Sequence, residues 1–259
     1  PGLGSVRRTF LYGIAFASLA LAATGATQLV SQLLGSLFGG VVLQDESFRV
    51  AFGLAAVAVG TPIWLLLWRA AERSLVEFPA ETGTLGRKAY VYLVLAVSAM
   101  VSGGFWVRFI QGTLSPDRFD LEQLAPAAVW GLVWWVHWRW ETAEGQPSEV
   151  ARSTRRFYSY LLSTVALVLL AVGLGLALRT LLGGVYDQLF GGTLLLAPGS
   201  ALWPTPLRDG LALAVVGAVG WGFHWHHTSA GDTESLLRQT VAFLVGVFGG
   251  LAAETWGGG

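Results

Sequence analysis

Seven apolar segments run along the chain, separated by short polar stretches that carry most of the charged residues. They are residues 9–36, 50–68, 89–112, 125–140, 157–182, 208–226 and 238–254. Several reach the roughly 20 residues that a helix needs to cross a bilayer. They are too long for strands and lack the alternation of polar and apolar residues that a membrane barrel shows. Since a backbone in lipid must satisfy its own hydrogen bonds, the pattern predicts membrane-spanning helices.

Successive pairs of these segments begin and end alike. Each pair starts with two cations, followed by an aromatic residue and a tyrosine two positions apart, at residues 7–12, 87–92 and 155–160. Each pair ends with two tryptophans four positions apart and then a basic residue, at residues 64–69, 134–139 and 221–226. This internal similarity predicts a repeated unit of two helices, because a repeat shared by sequence is usually shared by structure.

The predicted fold class is therefore all-α, a polytopic integral membrane protein with about seven transmembrane helices in three tandem hairpins plus one helix. The predicted boundaries are residues 1–80, 81–150 and 151–232 for the hairpins, and 233–259 for the seventh helix. The third hairpin carries the longest external loop, at residues 183–207. The seventh helix starts a fourth hairpin without completing it. We expect either that the natural chain continues or that another subunit supplies the missing helix.

Composition agrees with a chain that lies mostly in lipid. Hydrophobic residues make up 54% of the sequence and charged residues only 12%, against about 25% charged residues in soluble domains. The net charge is zero, so no overall field attracts nucleic acid. The absence of cysteine excludes disulfides, iron–sulfur clusters and thiolate metal sites in this chain. We expect membrane lipids and other membrane subunits, or further copies of the chain, as partners.

The distribution of positive charge predicts the orientation in the membrane. Eleven of the sixteen cations lie on the side where the units begin and end: Arg7, Arg8, Arg69, Arg73, Arg87, Lys88, Arg139, Arg152, Arg155, Arg156 and Arg238. Loops rich in arginine and lysine stay in the cytoplasm. The pattern therefore predicts a cytoplasmic N-terminus, with the tryptophan-rich helix ends at the cytoplasmic face.

The histidines form the first candidate site, because all four lie at the tryptophan-rich helix ends. His137 and His224 occupy the same position of the repeat, and a neutral imidazole can ligate haem iron. The flanking aromatic residues could line a planar haem, chlorin or quinone ring; they are Trp134, Trp138, Trp221 and Trp225. The alternative is an aromatic belt at the bilayer surface, with the histidine tips reaching towards lipid head groups.

Arg108 and Arg179 form the second candidate site. They lie 21 and 24 residues after the first cation of their units, close to the far end of a spanning helix. Charged residues inside a membrane are costly and often functional. A guanidinium group suits phosphate or carboxylate, so the pair could bind an anion or an acidic head group. The alternative is that both side chains anchor their helices at the external interface.

No motif predicts an enzyme. The chain has no phosphate-binding loop, nucleophile elbow or dinucleotide fingerprint, and no acidic residue in the middle of a predicted span. No catalytic or metal site is predicted, and no cofactor is required. Three functions remain: a structural or accessory subunit of a larger membrane complex, a haem-, chlorin- or quinone-binding membrane protein, and a transporter or channel for a small solute or lipid.

Two short motifs resemble those of a known family. They are the Arg-Arg-Phe-Tyr-Ser-Tyr start at residues 155–160 and the Trp-x-x-His-Trp-Arg end at residues 134–139, with variants in the other units. The sequence resembles a bacterial multi-pass membrane family known only as domain of unknown function 5671, over nearly the whole chain. The resemblance implies a helical-hairpin repeat protein and supplies neither an activity nor site residues.

Overall fold

The computed structural model describes residues 2–38, 46–77, 82–115, 121–191 and 204–226, together with Gln239 and Phe243. Of these residues 96% are helical and none lies in a strand, which confirms the predicted all-α class. The α-helices of the described part are α1 (Gly2–Phe38), α2 (Glu46–Glu77), α3 (Leu85–Thr113), α4 (Leu124–Glu144), α5 (Glu149–Tyr186) and α6 (Thr205–His224).

Four stretches of helix are long and apolar enough to cross a membrane. They are Phe10–Phe38, Ser47–Leu75, Leu85–Thr113 and Glu149–Phe190, and they fit a membrane protein. The other two helices, α4 and α6, have 21 and 20 residues and are not among these four. The predicted total of seven spans therefore stays a prediction. The seventh segment lies outside the described residues, apart from Gln239 and Phe243.

The helices extend further than the apolar segments that predict them. Helix α2 continues past its tryptophans to Glu77, and α5 begins at Glu149, so much of the predicted polar linkers is helical. Helix α5 also runs to Tyr186 and is followed by a π-helical turn, Asp187–Gly191, within the predicted loop 183–207. A glycine in a helix costs only about 1 kcal/mol, so the two glycines at 183–184 do not end α5.

Helices α1 and α2 pack as an antiparallel pair through small residues. A Cβ atom built on Gly60 of α2 would lie 2.7 Å from the Ser18 carbonyl oxygen of α1. A Cβ atom on Gly25 of α1 would lie 2.7 Å from Ala56 Cβ of α2. Backbones this close gain dispersion contacts that larger side chains would prevent, and such packing is typical of helices in lipid.

Helices α3 and α4 are also antiparallel, and a hydrogen bond joins them. Ser102 Oγ donates to the Ala127 carbonyl oxygen at 2.8 Å. Ala125 and Ala127 are fully buried. Together α1 to α4 and the start of α5 form one compact unit, residues 1–154, and the rest of the chain forms a second, residues 155–259.

In the second unit, α5 and α6 form an antiparallel pair, with the closest backbone approach at any glycine of the described residues. A Cβ atom built on Gly173 would lie 2.4 Å from Ala214 N, and one on Gly217 would lie 2.4 Å from Leu170 N. Gly210 lies seven positions before Gly217, on the same face of α6, and meets Ala177 N in the same way. That the helix pairs are copies of one repeated unit stays a prediction.

Replacing Gly217 by alanine is expected to destabilise the second unit by about 1–3 kcal/mol, because the added methyl group forces two backbones apart. Gly222→Ala is the matched control in the same helix, since a Cβ atom there has nothing within 4 Å. Thermal unfolding in detergent is the measurement. Equal unfolding temperatures for the two variants would contradict the close packing of α5 against α6.

Candidate functional site

Side chains from three helices converge in the first unit, where α2 and α4 end and α3 begins. Five rings form what we name the aromatic cluster: Trp64, Trp68, Tyr90, His137 and Trp140. Beside it lies what we name the ion-pair network: Glu72, Arg87, Lys88, Glu141 and Glu144. The antiparallel course of α3 and α4 places the cations that open α3 beside the glutamates that close α4.

The tryptophans of α2 and α4 stack on one another. The rings of Trp68 and Trp140 are 4.6 Å apart and inclined by only 14°. Trp64 lies one helical turn before Trp68, with 6.5 Å between the rings. Its indole nitrogen donates to the Tyr90 hydroxyl of α3 at 3.0 Å. The aromatic cluster therefore holds the end of α2 against both α3 and α4.

His137 lies inside the aromatic cluster and is only 1% exposed. The rings nearest to it are those of Trp140 at 5.0 Å, Trp68 at 6.1 Å and Tyr90 at 6.1 Å. Its Nδ1 lies 2.8 Å from the Val133 carbonyl oxygen, which can only accept, so Nδ1 carries the proton. Its Nε2 is buried and has no hydrogen-bond partner among the described residues.

Arg87 links all three helices. Its guanidinium group donates to Glu72 Oε1 of α2 at 2.6 Å and to Glu144 Oε1 of α4 at 2.5 Å. It also lies over the Trp68 ring, 4.9 Å from the centroid, which adds a cation–π contact. The side chain of Arg87 is 1% exposed. These partners bond its Nε and Nη2 atoms, whereas Nη1 has no hydrogen-bond partner among the described residues.

Lys88 is buried beside Arg87 and is held by the end of α4. Its Nζ donates to Glu144 Oε2 and to the Gly145 carbonyl oxygen, both at 3.2 Å, and lies 3.6 Å from Glu141 Oε1. Gly145 has a φ of +70°. That left-handed conformation suits glycine and ends α4 with its carbonyl oxygen directed at Lys88.

Glu141 is the most deeply buried carboxylate of the network. It accepts hydrogen bonds from the Tyr92 hydroxyl, at 2.6 Å, and from the Gln146 side-chain amide. Two buried cations thus face two nearly buried carboxylates, Glu141 and Glu144. Glu72 adds a third carboxylate, and its side chain is 46% exposed. The surplus negative charge of the network therefore lies at its accessible edge.

A cleft of about 310 Å³ opens at that edge, between α2 and α4. It is lined by Trp68, Glu72, Trp140, Ala143 and Glu144. Two indole rings and two carboxylates thus line one small cleft. Within the ranges that the structure describes, no three histidine, aspartate or glutamate side chains are placed to hold a metal ion.

The structure brings His137 into a ring cluster that includes tryptophans which the sequence analysis does not pair with it. Trp134 and Trp138 stack on each other, with 5.6 Å between their rings. The tryptophans in contact with His137 include Trp140, three positions later on the same helix, and Trp64 and Trp68 from α2. Residues three positions apart lie on the same face of a helix, so the contact between His137 and Trp140 could be predicted from the sequence.

His224 has a different environment in the second unit. Its Nδ1 donates to the Gly220 carbonyl oxygen at 2.9 Å, as His137 does one unit earlier. Its Nε2 accepts from the Tyr158 hydroxyl at 3.1 Å, whereas the equivalent Tyr90 bonds Trp64 instead. Trp221 and Trp225 stack on each other at 6.1 Å. That His137 and His224 serve one ligand stays a prediction, because they lie in separate compact units.

The two arginines of the second candidate site are both exposed. Arg108 lies over the Phe105 ring of its own helix, 5.2 Å from the centroid. Arg179 lies on α5, in the other compact unit. An anion or head-group site at these arginines therefore also stays a prediction.

Comparison with known proteins places the chain in one family. A family model described as Domain of unknown function (DUF5671) matches residues 8–118 and 121–202. The match confirms the resemblance found in the repeated motifs. No curated protein and no solved structure matches the chain.

Replacing Arg87 by methionine is expected to destabilise the first unit by about 3–5 kcal/mol, because buried carboxylates lose their cation. Arg152→Met is the matched control: Arg152 also bonds a glutamate, Glu149, but both are well exposed, and such a pair contributes about 0–1 kcal/mol. Denaturation in detergent, followed by tryptophan fluorescence, measures both changes. Similar losses in the two variants would show that burial of Arg87 does not govern stability.

Proposed function

The chain belongs to the family described as Domain of unknown function (DUF5671), and from this premise we propose that it is a structural, non-enzymatic subunit of a larger membrane assembly. The carrying observation is the use of its buried charges. Arg87, Lys88 and Glu141 are at most 1% exposed, and their bonds join α2, α3 and α4. Ionisable residues that serve transport usually face a water-filled cavity. Here the buried charged residues bond one another and hold the three helices together.

The outward faces of the helices support the same proposal. Large apolar side chains are exposed along several of them, among them Phe10, Leu66, Leu132, Leu182 and Val219. Such surfaces need lipid or other apolar helices around them. Membrane lipids, other membrane subunits or further copies of this chain are the partners that this surface suits.

Purification of the full chain from its own membranes in a mild detergent tests the proposal. We expect native mass spectrometry to give a complex heavier than the monomer, with companion chains in fixed stoichiometry. The same sample in a denaturing detergent, which should release the monomer, is the control. A monomer that carries only lipid would overturn the proposed subunit role.

A second candidate function, haem or chlorin binding, is favoured by one observation. The Nδ1 of His137 is fixed by a carbonyl oxygen while its Nε2 has no partner in the described structure, and metal-ligating histidines show this arrangement. The visible spectrum of the purified protein decides it. Pigment bands that disappear in His137→Phe would support this candidate, and a colourless protein would end it.

We also propose that the protein lies in a bacterial inner membrane with its N-terminus and tryptophan-rich helix ends in the cytoplasm. The excess of cations on that side supports this orientation. Because the chain has no cysteine, single cysteines can report it. Ser153 and Ser47 are both exposed and are predicted to lie on opposite sides.

A membrane-impermeant maleimide is expected to label Ser47→Cys in intact spheroplasts, and to label Ser153→Cys only after lysis. The cysteine-free parent protein measures background labelling. The reverse pattern would invert the proposed orientation, and labelling of both variants in intact spheroplasts would contradict the topology.

A further inference from the structure

We propose that the cleft between α2 and α4 binds an organic ammonium group. Its walls combine the indole rings of Trp68 and Trp140 with the carboxylates of Glu72 and Glu144. Indole rings attract cations, and carboxylates add direct charge attraction. Because Trp68 stacks on Trp140 and already carries Arg87 on its ring, the aromatic contact to a ligand comes from Trp140. This inference goes beyond the proposed structural role and does not depend on it.

Arg87 already shows that these walls accept a cation. Its guanidinium group contacts the Trp68 ring and bonds both Glu72 and Glu144. The same three side chains also line the cleft, so the cleft offers a second position for a cation beside the same groups. An anion in this position would face two carboxylates.

The charge count favours a cation as well. Arg87 and Lys88 are balanced by Glu141 and Glu144, all four at most 12% exposed. Within the network the three carboxylates outnumber the two cations by one, and Glu72 lines the cleft with a side chain that is 46% exposed. An ammonium ion in the cleft would neutralise this surplus without breaking a bond of the network.

The volume and position of the cleft restrict the ligand further. At about 310 Å³ it lies at the small end of ligand pockets, which range over roughly 300–1,000 Å³. That volume suits a trimethylammonium or ethanolamine group and not a large ring system. Trp68 and Glu72 lie in the last turns of the apolar stretch Ser47–Leu75. The ammonium group can therefore come from a lipid head group or from a soluble cation.

Saturation-transfer NMR of choline with the purified full chain in a maltoside detergent tests the proposal. We expect saturation of the choline methyl protons, and none for 3,3-dimethylbutan-1-ol, the neutral molecule of the same shape. Glu72→Gln should weaken choline binding about two- to fivefold, as expected for loss of one partly exposed charge contact. Glu149→Gln, which removes a more exposed carboxylate outside the cleft, should leave binding unchanged.

A second pair of variants tests the contribution of the tryptophans that line the cleft. Trp140→Leu should weaken choline binding, whereas Trp135→Leu on the same helix should not, because Trp135 does not line the cleft. If Trp140→Leu fails to fold, Glu72→Gln still decides, since the glutamine oxygen can still accept from Arg87 and Arg87 keeps its bonds to Glu144. Equal signals from choline and its neutral analogue, or unchanged affinity in Glu72→Gln, would overturn the proposal.

Nanodiscs distinguish the two sources of the ammonium group. If a lipid head group fills the cleft, phosphatidylcholine nanodiscs should suppress the binding of added choline, and phosphatidylglycerol nanodiscs should permit it. If the ligand is a soluble cation, choline should bind equally in both. Loss of choline binding in both kinds of nanodisc would count against the proposal.

Discussion

The cost of burying two cations beside an apolar bilayer is the constraint on which the first unit depends. An isolated charge taken out of water costs several kcal/mol, and attraction to a partner offsets this only with close hydrogen-bonded geometry. Arg87 and Lys88 therefore require the carboxylates of α4, and Glu144 serves both. Glu72 brings in the end of α2. Once these helix ends meet, the stacking of Trp68 on Trp140 and the enclosure of His137 follow.

The same constraint explains why predicted hairpins that share sequence motifs differ in how their cations are neutralised. Arg155 and Arg156 correspond to Arg87 and Lys88. The positions that match Glu141 and Glu144 hold Thr228 and Gly231 in the third predicted hairpin, and Ala71 and Ser74 in the first predicted hairpin. Of the three predicted hairpins, only the second has these carboxylates in its sequence to balance its own cations. The two histidines differ as well. Nε2 of His224 is bonded to the Tyr158 hydroxyl, whereas the hydroxyl of Tyr90, the tyrosine equivalent to Tyr158, bonds Trp64 and not His137.

Sequence patterns predict the helices well and the site only partly. The length of the apolar segments predicts the all-α class, and the repeated motifs indicate the family. Both signals can be read from residues that are close together in the sequence. The linkers rich in glutamate look like solvated connectors, yet they supply Glu72, Glu141 and Glu144. Arg87 and Glu144 are 57 positions apart, and no periodicity reports such a pairing. The sequence places His137 at a tryptophan-rich helix end. Most of its ring neighbours, however, come from other helices, and only tertiary packing brings them together.

The shared carboxylates also determine how a cation in the cleft would affect the fold. If the ligand displaced Arg87 from Glu72 and Glu144, a buried guanidinium group would lose its partners, at a cost of several kcal/mol. A small ammonium ion cannot offset that cost, so it must add to the network instead of replacing Arg87. An added cation neutralises the surplus charge of Glu72 and binds only where α2 and α4 lie together. By mass action, such a ligand stabilises the folded state that joins the two helices.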